Sequence, residues 1–107
     1  MNERIKEVID KMPEIDVIEA TSELFKVLGD PTRVKILTVL EVKELCVSEI
    51  CECVEMTKSA VSHQLRILRS SKLVKSKKQG KEVYYSLDDE HVSIIFKCAL
   101  SHINHTK

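Results

Sequence analysis

The chain reads TKSAVSHQLRILRS from Thr57 to Ser70, and this stretch decides the fold. Its apolar residues Val61, Leu65 and Leu68 recur at steps of three and four residues, which is the period of one helix face. Thr57 is one of the residue types that cap helix N termini. The remaining faces carry small polar, histidine and basic side chains, namely Lys58, Ser59, Ser62, His63, Arg66 and Arg69. The stretch therefore predicts a helix with one apolar face and a polar, basic surface.

A shorter helix is predicted directly before it, with Ser48 as the N-cap and Val54 near its end. Two short helices joined by a tight turn, with small polar residues opening the second, are typical of a helix-turn-helix. The second helix enters a DNA major groove, where Ser and His contact bases or phosphates and Lys and Arg neutralise phosphates. We therefore predict a helix-turn-helix over residues 48–70. Its predicted DNA-contacting side chains are Lys58, Ser59, Ser62, His63 and Arg66.

A β-hairpin is predicted over residues 73–87. Its second arm alternates apolar and polar residues through Val83, Tyr85 and Leu87, and Gly80 marks the turn. The basic side chains near that turn belong to Lys77, Lys78 and Lys81. A hairpin that follows a helix-turn-helix forms a wing, whose basic tip lies against the DNA backbone or minor groove. The predicted fold is therefore mainly α with a β-hairpin wing, a winged helix-turn-helix.

The N-terminal part, residues 1–28, predicts helices without visible chemistry. Its first apolar stripe consists of Ile5, Val8, Ile9 and Met12. Pro13 interrupts this segment, and Asp16 with Glu19 is a capping signal for a second helix that reaches Leu28. We predict that both helices serve the core or dimerisation.

At 107 residues the chain is expected to form a single domain over residues 1–107. Gly29 can end the helix before it, Asp30 can cap the next, and Pro31 suits a first helical turn. Residues 30–70 are therefore predicted to be helical up to the end of the helix-turn-helix. Such a chain is small enough that dimerisation would help it bury surface.

The formal net charge of zero hides a sharp segregation of charge. Residues 1–56 carry seven basic and thirteen acidic residues, a net of −6. Residues 57–81 carry eight basic residues and no acidic one, whereas residues 82–107 carry two basic and four acidic residues. A basic stretch of this length within a neutral domain is the electrostatic footprint expected of a nucleic-acid contact.

Composition excludes several other classes of protein. No apolar run approaches the roughly 20 residues of a membrane span, and the first four residues do not resemble a signal peptide. Four cysteines without a secretory signal are expected to be reduced thiols in the cytoplasm. With Gly29 and Gly80 as the two glycines, a glycine-rich phosphate-binding loop is excluded.

The last predicted helix, residues 89–106, carries a pair of metal-type ligands at each end. Asp89 and His91 form the first pair, with Asp89 expected at or before the helix start; His102 and His105, one turn apart on one face, form the second. His91 and His102 are eleven residues apart, roughly 16 Å along a helix axis, which zinc–nitrogen bonds of about 2.0–2.1 Å cannot bridge. One chain therefore offers two half-sites.

Two such helices packed antiparallel about a two-fold axis would join each half-site to its counterpart on the second chain. This arrangement predicts two Zn(II) ions per dimer, each held by Asp89 and His91 of one chain with His102 and His105 of the other; Co(II) and Ni(II) suit the ligands less exclusively. Four protein ligands leave no open position for a substrate, so an enzyme is not expected. The alternative is that Asp89 only caps the helix and the histidines are ordinary surface residues.

Several runs of the chain are similar to one known family. They are Phe25–Arg33 (FKVLGDPTR), Glu44–Val47 (ELCV), Ser59–Leu65 (SAVSHQL), Gln79–Leu87 (QGKEVYYSL), and the Asp-x-His and His-x-x-His of the last helix. From about Leu24 to His105 the chain resembles the ArsR/SmtB family of metal-responsive repressors, and its ligands resemble the zinc- and cobalt-sensing branch. The resemblance implies a homodimer that leaves operator DNA, an inverted repeat, when metal binds, so that genes for metal efflux or sequestration are expressed.

The cysteines depart from that family's pattern and leave an alternative open. The family's Cys-x-Cys has lost its second thiolate here, because Ser48 follows Cys46 and Val47. Cys51 and Cys53 lie nearby, but residues two apart on a helix point in different directions. The alternative is a repressor of the same fold that senses cadmium, lead, arsenic or thiol oxidation through Cys46, Cys51, Cys53 or Cys98. Glu55 also stands where the helix-turn-helix often has glycine.

Overall fold

The computed structural model describes residues 2–106, with side chains described as far as His105. Its helices, in chain order, are α1 (Glu3–Lys11), α2 (Ile15–Leu28), α3 (Pro31–Val42), α4 (Val47–Val54), α5 (Lys58–Ser70) and α6 (Glu90–Thr106). Its strands are β1 (Leu45–Cys46), β2 (Val74–Gln79) and β3 (Glu82–Leu87). Mainly helical structure with a β-hairpin wing after a helix-turn-helix confirms the predicted fold class.

Three helix boundaries lie at the capping residues that the sequence predicted. Gly29 is the C-cap of α2, and Asp30 caps α3 by accepting a hydrogen bond from the Arg33 amide at 3.0 Å. The Thr57 hydroxyl accepts from the Ala60 amide at 3.1 Å and so begins α5. A side-chain cap of this kind contributes about 1 kcal/mol to stability, because it satisfies an amide that the helix leaves unpaired.

Two predicted caps are wrong. Helix α4 begins one residue before Ser48, because the Glu49 carboxylate accepts from the backbone amide of Cys46 at 3.0 Å and makes Cys46 the N-cap. This hydrogen bond lowers the pKa of the Glu49 carboxyl. Glu14, which follows Pro13, has an extended backbone and is the N-cap of α2. The helix therefore begins at Ile15, and Asp16 lies within its first turn instead of capping it.

Two turns use the left-handed conformation without glycine. Glu55 has a φ of 56° at the end of α4, where the Met56 amide donates to the Cys51 carbonyl at 3.2 Å. Lys72 has a φ of 61° after α5, and the next amide, of Leu73, donates to the Leu68 carbonyl at 2.9 Å. The second pattern is the Schellman motif, and both leucines are buried in the core. The helix-turn-helix therefore keeps its tight turn although Glu55 stands in the position that favours glycine.

The buried core lies between α3, the helix-turn-helix and the base of the wing, and one residue of α6 joins it. Its members are Ile36, Leu37, Leu40, Ile50, Val54, Val61, Leu65, Leu68, Leu73, Val74 and Phe96. All three predicted core residues of α5 are included, at 1% exposure or less. Because this apolar face is fixed against the core, the polar face of α5 must point to solvent.

The wing is the β2–β3 hairpin, and a third short strand that the sequence did not predict extends it. The sheet order is β1-β3-β2, antiparallel throughout, with Val74 paired to Leu87 and Cys46 paired to Tyr84. Gly80, with a φ of 64°, lies in the two-residue loop between Gln79 and Glu82. Strand β1 thus links the wing to the start of α4 and fixes its base against the helix-turn-helix.

The N-terminal helix leaves its apolar stripe uncovered. Ile5, Val8, Ile9 and Met12 are 49–61% exposed, and the radius of gyration is 17.3 Å, against about 13 Å for a compact chain of this length. Helix α6 likewise exposes Leu100 and Ile103. No helix in residues 2–106 is both long enough and apolar enough to cross a membrane.

Candidate nucleic-acid interface and metal ligands

The outer face of α5 presents the predicted DNA-contacting side chains together. Lys58, Ser59, His63 and Arg66 are exposed and Ser62 is half-buried. No acidic side chain lies on this helix. The helix therefore offers hydrogen-bonding groups and positive charge on the side opposite its buried residues, as an element that enters a DNA groove requires.

The hairpin places three lysines near one end of the wing. Lys77 pairs with Tyr84 and Lys78 pairs with Val83, while Lys81 lies in the loop itself. All three lysines are exposed. Since β1 and β2 flank β3, the base of the wing is held by two strands and its basic tip projects away from the core.

A shallow groove separates α5, the recognition helix of the helix-turn-helix, from the wing. Ser62, Leu65, Arg66, Arg69, Ser70 and Tyr85 line it. Arg69 and Tyr85 were not among the predicted DNA-contacting residues, although the three-residue step from Arg66 to Arg69 and the alternation of β3 were signals for both. Two guanidinium groups with hydroxyl groups nearby suit a phosphate of the DNA backbone.

Arg33 of α3 connects α5 to α2 through side-chain hydrogen bonds. Its Nε donates to the Val27 carbonyl of α2 at 2.7 Å, and its Nη1 lies at 3.5 Å from Oε1 of Gln64. Arg33 therefore contacts both α2 and the recognition helix from the first turn of α3. The sequence did not predict this contact, since 31 residues separate Arg33 from Gln64.

Asp89 and His91 lie together at the start of α6. Asp89 Oδ1 accepts from the Val92 amide at 3.1 Å, which makes Asp89 the cap that the sequence predicted. The same oxygen lies 3.7 Å from Nδ1 of His91, and both side chains are more than half exposed. The two donor atoms are therefore close to the spacing of about 3.3 Å that two zinc ligands have in a tetrahedral site.

His102 and His105 lie at the far end of the same helix, where they line a shallow surface groove with Lys97, Cys98 and Ser101. Because α6 is continuous from Glu90 to Thr106, the eleven residues from His91 to His102 keep their separation of roughly 16 Å. Among the residues that the structure describes, no group of three His, Cys, Asp or Glu side chains could hold a metal. One chain therefore presents two pairs of nitrogen and oxygen donors, a set that suits zinc once the pairs are combined.

The four cysteines occupy different environments. Cys46 is buried as the N-cap of α4, with its Sγ 3.3 Å from the Ser48 hydroxyl, whereas Cys51 is half-buried and Cys53 is exposed on the same helix. Cys98 is exposed on α6. The thiols at Cys51 and Cys53 thus point in different directions, as the spacing predicted.

A carboxylate on α3 holds the middle of α6. Glu41 accepts a hydrogen bond from the Ser93 hydroxyl at 2.8 Å and lies 3.1 Å from the Lys97 ammonium. The Ser93 hydrogen bond lowers the pKa of the Glu41 carboxyl, desolvation opposes it, and Lys97 adds to the lowering. No local sequence pattern predicts this contact, because 52 residues separate Glu41 from Ser93.

Comparison with known proteins identifies relatives that match more than nine-tenths of the chain. Residues 30–76 match the family described as bacterial regulatory protein, arsR family. A transcriptional repressor SmtB homolog of Synechocystis sp. is 39% identical over 101 residues, which cover 94% of this chain and 76% of that protein. A cadmium resistance transcriptional regulatory protein CadC homolog of Staphylococcus aureus is 42% identical over 100 residues, 92% of this chain and 79% of that protein.

The fold also has close counterparts among solved structures. One is a homodimeric winged helix-turn-helix DNA-binding domain from Mycobacterium bovis, described as a possible ArsR-family transcriptional regulator. The superposition has a TM-score of 0.78 and a sequence identity of 25%. It includes 83% of this chain and 82% of the Mycobacterium bovis chain. The similarity therefore extends beyond the helix-turn-helix to the elements that flank it.

Proposed function

The chain belongs to the arsR family of bacterial regulatory proteins, and from that premise we propose that it is a repressor whose operator binding is controlled by zinc. As a member of this family it is a DNA-binding regulator and not an enzyme. In the proposed mechanism a homodimer binds operator DNA without metal. Zn(II), or Co(II) or Ni(II), binds between the two α6 helices and releases the dimer, so that genes for metal efflux or sequestration are expressed.

The spacing of donors along α6 carries this proposal. Asp89 and His91 lie together at one end of the helix, and His102 and His105 lie at the other. Because a single ion cannot reach both pairs, an antiparallel pair of α6 helices is the simplest arrangement that completes a site. The symmetry then gives two equivalent sites per dimer. Bound zinc would supply a fixed cross-link between the two chains there.

The uncovered apolar surfaces support the dimer. The exposed stripe of α1 and the exposed apolar residues of α6, among them Leu100 and Ile103, would be buried in it. Burial of apolar surface favours association because it removes that surface from water. The related domain from Mycobacterium bovis is itself described as homodimeric.

The charge distribution supports the DNA side of the proposal. The outer face of α5 would enter a major groove, and the lysines of the wing tip would lie on neighbouring phosphates. Since the dimer is two-fold symmetric, the operator is expected to be an imperfect inverted repeat with half-sites about 34–36 Å apart. The release of such a dimer by metal requires only that zinc favour a geometry in which the two α5 helices no longer match this spacing.

The test is a metal titration on an operator fragment selected by the apo-protein from random duplexes. We expect two Zn(II) ions per dimer and weaker operator binding once they are bound. His102→Ala should abolish tight binding at both symmetry-related sites, whereas Ser101→Ala, on the same helix, should not. Full zinc affinity in the His102→Ala protein, or an operator affinity that zinc does not change, would reject the proposal.

A second candidate function is favoured by the name of the Staphylococcus aureus relative, a cadmium resistance regulator. In this second candidate function, a soft metal or an oxidant would be sensed by a thiol of Cys46, Cys51, Cys53 or Cys98. The fold and the operator binding would be the same as in the zinc-controlled repressor. The two candidates separate when operator release is measured with Zn(II) and Cd(II), with and without a reductant. Release by Cd(II) or by oxidant in a His102→Ala protein would favour the thiols.

A further inference from the structure

Two polar contacts join the helix that carries the histidines to the helix that supports α5. Glu41, near the end of α3, accepts from Ser93 at 2.8 Å and pairs with Lys97 at 3.1 Å. Its side chain is only 16% exposed, whereas that of Lys97 is 68% exposed. Ser93 and Lys97 are one turn apart on α6, so the carboxylate holds the same stripe of that helix at two points.

The other end of α3 contacts the recognition helix. Arg33 donates to the Val27 carbonyl at 2.7 Å and reaches Gln64 of α5 at 3.5 Å. Arg33 and Glu41 are eight residues apart on the same helix, about 12 Å along its axis. Contacts to α6 and to α5 therefore lie at opposite ends of one element.

Helix α3 is anchored in the core between these two ends. Ile36, Leu37 and Leu40 are 0%, 0% and 4% exposed. A helix packed this closely moves as a body with small adjustments of its neighbours, because close-packed interiors do not deform continuously. A shift of α6 relative to α3 would then either break the contacts at Glu41 or move α3, and with it the support of α5.

We propose that Glu41 is the positioning residue through which the state of α6 is communicated to the recognition helix. The proposal rests on the metal response put forward above. It assigns the coupling to the Ser93–Glu41–Lys97 contact and to α3, with Arg33 as the contact at the far end. Glu41 is not one of the candidate metal ligands and does not lie on the outer face of α5, so its loss should change how far zinc weakens operator binding rather than the zinc affinity of the free dimer.

The experiment measures operator affinity with and without saturating Zn(II) for the wild-type dimer, Glu41→Gln and Ser93→Ala. Glu52→Gln is the matched control, because it removes the same charge from an exposed side chain of α4. Zinc affinity is measured in parallel by direct titration. Allosteric couplings typically change an affinity about 5–150-fold, and Glu41→Gln should reduce the factor by which zinc weakens operator binding by about threefold or more. Its zinc affinity should stay within about twofold of wild type.

The possible outcomes distinguish a failure of the proposed role of Glu41 from a failure of the proposed zinc-controlled repression. A merely structural role for Glu41 would lower stability and affect both operator affinities alike, leaving their ratio unchanged, and that result would overturn the proposal while the metal response stands. If wild-type protein shows no metal-dependent change, the proposed function fails and the coupling with it. Ser93→Ala removes a single hydroxyl donor and answers the same question if Glu41→Gln does not fold.

Discussion

Nδ1 of His91 lies 3.7 Å from Oδ1 of Asp89, and that same oxygen caps α6 by accepting from the Val92 amide at 3.1 Å. The carboxylate is therefore held by the helix start before any ion arrives. Holding a ligand in place beforehand reduces the entropy that binding must overcome. One residue thus serves both the helix and the proposed metal site, and the two roles can be separated by substitution.

Asp89→Asn and Asp89→Ala should differ in stability but not in metal binding. Asparagine caps a helix as well as aspartate does, so Asp89→Asn should leave the free energy of unfolding nearly unchanged, whereas Asp89→Ala should lower it by about 1 kcal/mol. Both variants lose the anionic oxygen, and zinc affinity should fall at least about tenfold in each. Urea unfolding and metal titration measure the two effects. Wild-type zinc affinity in Asp89→Asn would remove Asp89 from the site.

The predicted DNA-contacting residues on α5 and on the wing should behave differently. Ser62→Ala or His63→Ala should weaken binding to the selected operator more than binding to random duplex DNA. Lys77→Ala or Lys78→Ala should weaken both equally and reduce the slope of log affinity against log salt by about 0.9 for each phosphate that the variant no longer neutralises. Fluorescence anisotropy over a salt series measures both quantities. An unchanged operator affinity in His63→Ala would make His63 an ordinary surface residue.

Linkage makes the proposed metal response reciprocal. If zinc lowers operator affinity by some factor, saturating operator DNA must lower zinc affinity by the same factor, typically about 5–150. Zinc affinity should therefore be measured by competition with a chelator, with and without the selected operator. Equal affinities in the two conditions would mean that the metal site, if present, has only a structural role.

Glu55 and Gly80 both adopt a positive φ, at 56° and 64°, and should respond oppositely to substitution. Glu55→Gly removes the strain of a left-handed non-glycine residue and should stabilise the protein by about 0.5–1 kcal/mol. Gly80→Ala should destabilise it by about 1 kcal/mol. A Cβ at Gly80 would meet no atom within 4 Å, so its cost is one of backbone conformation and not of crowding. Thermal or urea unfolding tests the signs, and a destabilised Glu55→Gly would contradict this account of the turn.

The stabilising contact at Glu41 should disappear in acid. The hydrogen bond from Ser93 lowers the pKa of its carboxyl, with desolvation opposing and Lys97 adding to the lowering. A carboxyl group whose pKa is lower in the folded than in the unfolded state contributes stability that is fully present above the unfolded pKa, and this is lost as the pH falls through the folded pKa. The difference in unfolding free energy between wild type and Glu41→Gln should therefore be constant near neutral pH and shrink below about pH 4.3. Glu52→Gln is the control, and a difference that grows in acid would refute the interpretation.

Local chemistry determined most of the secondary structure. Thr57, Asp30 and Asp89 each cap the helix that the sequence assigned to them, because a cap needs only an oxygen within three residues of an unpaired amide. The periodic apolar residues that predict α5 and the alternating residues that predict β3 are likewise patterns within a few neighbouring residues. The separation of the two candidate ligand pairs was also determined by the sequence, since the rise of a helix is constant.

Contacts between distant residues were decided by tertiary structure alone. Glu41 reaches Ser93 across 52 residues, and β1 exists only because β3 offers it a partner at Tyr84 and Tyr85. The cap of α4 is a local exception to this rule, because Cys46 and the Glu49 carboxylate that accepts from its amide are only three residues apart. Which groups meet across space depends on how the apolar faces of all the helices pack together, and that packing sums many weak contacts that no short run of sequence specifies.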